Sequence, residues 1–191
     1  MNAPGTRDRL IAAMRDALQR RGLHGVGLSE ILSLAEAPKG VLYHHFPGGK
    51  TELAAAAIDA TAQSIAAALD GALAREPDPV DAIGAWIDVA GRRLAASDYE
   101  RGCPLATVAL ECGADDTVLK QALAEAFGVM RERIGLALAR AGMPADRAAG
   151  LATLLVAAYE GGLLQARVAR SAEPLVQAMQ TLRMLIKAVP R

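Results

Sequence analysis

Lys39, Tyr43 and His44 fall within one short stretch, Pro38-Lys39-Gly40-Val41-Leu42-Tyr43-His44-His45-Phe46. At helical spacing a cation, a phenol and an imidazole then share one side, Lys39 and Tyr43 being four apart. Leu42 and Phe46, also four apart, mark the opposite side as the packing side, with Val41 beside them. A short helix braced on one side and armed with donors on the other is suited to enter a DNA major groove. Gly40 removes a side chain where backbone must approach the groove closely. Ser29, and Lys50 with Thr51, stand at expected helix starts, where hydroxyl, ammonium and backbone N–H groups can meet phosphates. The candidate DNA-contact set is therefore Ser29, Lys39, Gly40, Val41, Tyr43, His44, Lys50 and Thr51.

Other chemistries fare worse on the same residues. His45, next to Phe46, reads as a packed structural histidine. His44 and His45 diverge by about 100° on a helix, and no Cys or carboxylate stands at ligand spacing, so no metal is expected. Gly48-Gly49-Lys50-Thr51 resembles the tail of a phosphate loop but lacks the earlier glycine and a preceding strand. The enzymatic alternative is Glu111-Cys112 with Asp115-Asp116, yet no histidine follows His45 to pair with the thiol. Asp115 or Asp116 serves more simply as a helix cap. No catalytic residue and no cofactor is expected.

The elements that must position these residues are helical. Over the 191 residues 52% are apolar, chiefly Ala, Leu, Val and Ile with six aromatics, which favours helix over strand and allows a sizeable core. No run of about 18 uncharged apolar residues demands a membrane span. The start lacks an apolar signal core, and Cys103 and Cys112 imply no disulfide framework, so a cytoplasmic protein without membrane contact is expected. Formal net charge is zero, but residues 1–53 hold seven Lys/Arg against five Asp/Glu and all three histidines. A mildly basic module on a mildly acidic body fits a chain that touches phosphates with one end.

Periodicity predicts nine helices and no strand. Thr6 is expected to cap the first, with Leu10, Ile11, Met14, Ala17 and Leu18 inward and Gly22 as its end. Ser29 is expected to cap the second, with Ile31, Leu32 and Leu34 inward. Pro38 suits the start of a third over 39–45. A long helix follows over 50–74, then a hinge over 77–79. Further helices are expected over 80–96, 105–111, from Asp115 or Asp116 to 141, 144–167, and from about Pro174 to 188. The division is a helix-turn-helix module over 1–53, continuing into the helix at 50–74, and a ligand-binding and dimerisation body over 54–191.

The pattern Ala35, Gly40, Leu42, Tyr43, His45, Phe46, then Lys50 and Leu53, resembles the tetracycline-repressor (TetR) type helix-turn-helix. The fuller string from Ala37 to Lys50, followed by Gly102-Cys103-Pro104, is similar to the LmrA-like branch, linked to drug-responsive repression. The resemblance implies an all-helical homodimer, palindromic operator DNA and a ligand-binding body. Two residues depart from the pattern. Glu36 stands where the family turn usually has Gly, and Val41 where it usually has Ser or Thr.

In the body, Trp86, Tyr99, Cys103, Val108, Met130, Ile134 and Tyr159 are candidates to line a pocket for a small lipophilic ligand, as large or polarizable side chains amid alanine. The last two helices read as a dimer surface. Gly150, Ala157, Ala158, Gly161 and Gly162 would permit close approach, and Leu154, Leu155, Leu163, Leu164, Met179, Leu182 and Leu185 would supply apolar area. A ligand in the body is expected to tilt the fourth helix through the 77–79 hinge and so release DNA. A helical interaction scaffold that binds no DNA is the remaining alternative.

Overall fold

A computed structural model describes residues 5–188, with side chains to 187. Among these residues the chain is all helix: α1 (Thr6–Arg21), α2 (Leu28–Leu34), α3 (Lys39–His45), α4 (Gly49–Arg75), α5 (Pro79–Ala96), α6 (Pro104–Glu111), α7 (Thr117–Arg140), α8 (Ala145–Ala169) and α9 (Glu173–Ala188). They fall into two compact units, residues 5–61 with 104–126, and residues 62–103 with 127–188. α4 and α7 each give their first part to one unit and the remainder to the other.

In the first unit α1, α2 and α3 pack on one another. Their shared core is Leu10, Met14, Leu18, Ile31, Leu42 and Phe46, all but fully buried, so each short helix is held by its apolar stripe rather than by propensity. α1 stops at Gly22, whose N–H still reaches the Leu18 carbonyl at 3.2 Å and whose φ of 74° then turns the chain out of the helix. Neither expected hydroxyl cap forms. Gly5 and Gly27 occupy the N-cap positions of α1 and α2 without a side-chain bond, which places Thr6 and Ser29 inside the helices. Thr6 instead accepts a hydrogen bond from Arg9 at 3.3 Å. Leu34, expected inward, is 57% exposed, because two residues on from buried Leu32 is the far side of a helix.

α2 ends in a Schellman turn. The Ala37 N–H reaches the Leu32 carbonyl at 3.0 Å and the Glu36 N–H reaches that of Ser33 at 3.1 Å. Arg9 Nε pins the same turn at the Ala35 carbonyl, 3.0 Å away. Glu36 takes the left-handed position with φ of 49°, where the Cβ of any residue but glycine meets the following carbonyl.

In the second unit α9 packs along α8 and α5, and α5 touches α8. Asp78, unforeseen as a cap, accepts from the Val80 N–H at 2.8 Å and opens α5 ahead of Pro79. Gly162 lies so close to α9 that an added Cβ would stand 3.1 Å from Leu175 Cα, so this glycine serves packing within the chain rather than contact with another. Leu155 and Leu163 are likewise buried internally. By length and composition α8 is apolar enough to cross a membrane, with mean hydropathy 1.2, although Glu160 interrupts its uncharged run. Its stripe from Ala148 through Ala152, Leu155, Val156 and Tyr159 to Ala166 is buried within the protein.

Relief of the left-handed strain is measurable. Glu36→Gly is expected to stabilise the protein by about 1 kcal/mol or somewhat less, since glycine also loosens the unfolded chain. A thermal melt should shift upward by about 2–4 °C; a fall in melting temperature would show that Glu36 is not strained.

Candidate nucleic-acid interface

The two faces of α3 are sharply unlike. Leu42 is fully buried and Phe46 nearly so, whereas Lys39, Gly40, Tyr43 and His44 are exposed, Tyr43 to 47%. A Cβ placed on Gly40 would meet nothing within 4 Å, so nothing inside the chain requires glycine there. Ser29 and Thr51 are exposed as well, and Val41 and Lys50 are half-buried. Tyr43 runs back toward the start of α4, its Cε1 3.5 Å from where a Gly49 Cβ would sit. His45 is half-buried, edge-on to the rings of His44 at 5.0 Å and Phe46 at 6.4 Å. Arg7 covers the Phe46 ring at 5.4 Å, closing the packing side with a cation–π contact.

Lys50 is placed differently from a plain phosphate contact. Its Nζ donates to the Leu23 carbonyl at 2.5 Å and the Val26 carbonyl at 2.6 Å, tying the start of α4 to the turn between α1 and α2. Burial draws its pKa below the ordinary lysine range, against the opposing pull of the Glu111 carboxylate. Glu111, at the last position of α6, itself accepts from the Leu23 N–H at 2.5 Å. An added Cβ at Gly22 would overlap that carboxylate. Arg21 and Glu30 form an exposed ion pair across the same turn.

This arrangement removes the enzymatic alternative's acid. Glu111 is committed to a backbone amide, and burial, with Asp116 and Glu111 adding to it, raises the Cys112 thiol pKa. A nucleophilic cysteine needs the opposite shift. Asp116 stands just before α7 and accepts from the Gly113 N–H at 2.7 Å, while Asp115 is exposed.

Of the seven candidate pocket residues, the structure brings Trp86 and Tyr159 together, with ring centroids 4.8 Å apart. Cys103, Met130 and Ile134 are also buried in the second unit, Tyr99 is half-buried with φ of 62°, and Val108 is buried in the first unit. None of the seven lines the cavity of about 110 Å³ bounded by Ile83, Gly84, Asp88, Leu155, Met179 and Arg183. Sequence reasoning missed Glu160, the lone acidic residue in the apolar run of α8. Its Oε1 accepts from the Cys103 thiol at 3.2 Å, and its Oε2 is sealed from solvent with no hydrogen-bond partner among the described residues. The residue as a whole is half-buried, but the carboxyl group is not exposed. Burial pushes the carboxyl up to about 7, the Cys103 bond pulling the other way. The same burial, with Cys103 and Glu160 adding to it and Arg93 opposing, raises the pKa of Tyr159.

A carboxyl that binds protons more tightly folded than unfolded makes stability fall as pH rises. The loss begins near the ordinary value of 4.5 and is complete above about 7. Its size is on the order of 3 kcal/mol. Glu160→Gln, which keeps an acceptor for Cys103, is expected to match the wild type in urea titrations at pH 4.5 and exceed it at pH 8. An offset between the two proteins that is the same at both pH values would show that the buried acid does not titrate as described.

Known proteins share both parts of this arrangement. Residues 10–57 match the bacterial regulatory proteins of the tetR family, and residues 79–181 match the transcriptional regulator LmrA/YxaF-like C-terminal domain. An HTH-type transcriptional regulator of Mycobacterium tuberculosis is 33% identical over 189 residues, covering 96% of this chain and 95% of its own length. The HTH-type transcriptional regulator LmrA of Bacillus subtilis is 28% identical over 187 residues, covering 98% of this chain and all of its own. The crystal structure of a regulatory protein TetR from Rhodobacter sphaeroides superposes with a TM-score of 0.85 at 26% identity, covering 94% of this chain and 97% of that one. With a helix-turn-helix whose donor edge faces outward and a C-terminal domain of LmrA/YxaF type, the chain belongs to the TetR family of bacterial transcriptional regulators.

Proposed function

We propose that the protein is a cytoplasmic, ligand-responsive repressor that binds palindromic operator DNA as a homodimer and is released by a small lipophilic inducer. Residues 1–53, continuing into the helix at 50–74, form the DNA-binding part, and residues 54–191 the ligand-binding and dimerisation part. The observation that carries the reading is the exposed Lys39, Gly40, Tyr43 and His44 edge on a helix whose other side is buried. In the proposed complex Lys39 supplies a charge-assisted donor, His44 a ring N–H, Tyr43 a hydroxyl and a ring, and Gly40 the room for close approach. Ser29 and Thr51 supply hydroxyls to flanking phosphates, Lys50 has one further ammonium proton to offer, and Val41 gives apolar contact.

One α3 buries too little surface to hold a specific site, and two copies must present it about 34 Å apart. Exposed Leu154, Leu164 and Val168 on α8, with Val176, Met184 and Leu185 on α9, support pairing through these two helices. The apolar core around Trp86 and Tyr159 supports a lipophilic ligand. Movement of α4 through the 77–79 hinge would make ligand and DNA disfavour one another by a reciprocal coupling of about 1–3 kcal/mol.

A gel shift on the DNA immediately upstream of the protein's own gene, with and without a panel of lipophilic compounds, tests the whole reading. Lys39→Ala is expected to weaken binding to all sequences similarly and lower the salt slope by about 1, whereas Tyr43→Ala should relax discrimination by about 1–3 kcal/mol. Leu185→Glu should yield monomers on gel filtration and lose operator binding. Unchanged DNA binding by the Lys39→Ala, Tyr43→Ala double variant would sink the assignment of this edge.

A further inference from the structure

Glu111 lies outside the helix-turn-helix and outside every residue assigned a DNA contact, yet its carboxylate ends on the turn that sets the position of α2. The separation is 88 residues in sequence and 2.5 Å in space, from Glu111 Oε2 to the Leu23 N–H. That amide needs an acceptor. α1 has ended at Gly22, α2 has not begun, and Leu23 is buried, so no helical carbonyl serves that amide and a partner from elsewhere in the fold must. Gly22 has no Cβ, and one would occupy the carboxylate's place, so turn and acid fit only as this pair. Lys50 completes the clamp from α4 by taking the carbonyls of Leu23 and Val26. The two peptide groups that flank the Leu23 Cα are thereby held, the first by its N–H from α6 and the second by its C=O from α4.

We infer that Glu111 is a positioning residue for DNA recognition, fixing the α1–α2 turn and through it the presentation of α2 and α3. This rests on the DNA-binding reading above and adds to it a control point in a helix that touches no DNA. Arg21 and Glu30 cross the same turn, but an exposed ion pair holds its geometry weakly. A bond between a carboxylate and a buried amide is both stronger and directional. Loosening it leaves the Lys39 charge and the exposed donors of Tyr43 and His44 in place, so attraction to any duplex persists. What suffers is the register of side chains against base edges, which requires the helix to sit within a fraction of an ångström.

The experiment compares two duplexes of equal length: one enriched by the wild-type full-length chain from random-sequence DNA, and one that fails enrichment. Glu111→Ala is expected to weaken binding to the enriched duplex about tenfold or more in fluorescence anisotropy. Affinity for the other duplex should stay within about twofold. Glu111→Gln, whose amide oxygen still accepts from Leu23, should hold the enriched duplex within about threefold of wild type. Should Glu111→Ala fail to fold by circular dichroism, Glu111→Asp, with the carboxylate withdrawn by one methylene, should show the same selective loss in milder form. Equal loss on both duplexes, no loss on the enriched one, or a Gln variant as impaired as Ala overturns the inference. If the wild-type chain enriches no duplex, the regulatory reading falls first and this inference with it.

Discussion

The chain must leave α1 and enter α2 within six residues, 22–27, and of these Gly22, Leu23 and Val26 are buried while His24, Gly25 and Gly27 are exposed. Leu23 and Val26 are both core residues, so their flanking peptide groups are carried inside with them. An unmatched buried amide or carbonyl costs about 1–3 kcal/mol, a large part of the stability of an ordinary domain. The protein meets that cost with two long ionic side chains, Lys50 and Glu111, whose charged ends take the two consecutive peptide groups on either side of the Leu23 Cα. The Glu111 carboxylate also offsets part of the desolvation of the Lys50 ammonium. The placement of α2 and α3 follows from this turn, because the Schellman turn at 35–37 and the shared apolar core leave the helix pair little freedom of its own.

Against that rigid interior the outer edge of α3 contributes almost nothing to folding. Lys39, Gly40, Tyr43 and His44 bury little, and Gly40 even gives up helix propensity worth about 1 kcal/mol relative to alanine. A residue that weakens its own helix, relieves no clash and adopts no positive φ answers to something outside the chain. The net charge of zero is consistent with this division of labour. A neutral protein avoids indiscriminate attraction to polyphosphate, so its local basic excess and its shape must supply specificity.

What periodicity could show, it showed well: α3 begins at Lys39 and ends at His45 as spacing and Pro38 require, and the exposure of Tyr43 follows from its offset against Leu42 and Phe46. Helix ends were less legible where glycine replaced a hydroxyl cap, because Gly27 satisfies the geometry without a side-chain bond and Ser29 then reads as the cap it is not. Glu111 was noticed for the wrong chemistry. Its acidity is visible in the sequence, but the amide it serves stands 88 residues away, and no local pattern reports a contact of that range. Glu160 escaped notice for the converse reason: one acid in a long helix looks like solvated surface until the fold turns it inward. The departure at Glu36 could be read in advance, and the positive φ there gives it a physical meaning.

The apolar residues that α8 and α9 leave outside make the physical case for a second copy of the chain. Leu154, Leu164, Val168, Val176, Met184 and Leu185 are large, exposed and confined to two neighbouring helices, whereas single exposed apolar residues elsewhere need no explanation. Some small residues expected to serve that surface are already used inside the chain, as Gly162 shows against Leu175. Gly150 and Gly161 differ, for a Cβ at either would meet nothing within 4 Å, so their smallness is not demanded by internal packing. Helix backbones approach closely only where side chains are absent, and here they are absent beside the exposed leucines. A surface both apolar and shaped for another helix suits a symmetric partner best, since a two-fold axis lets one patch complement itself.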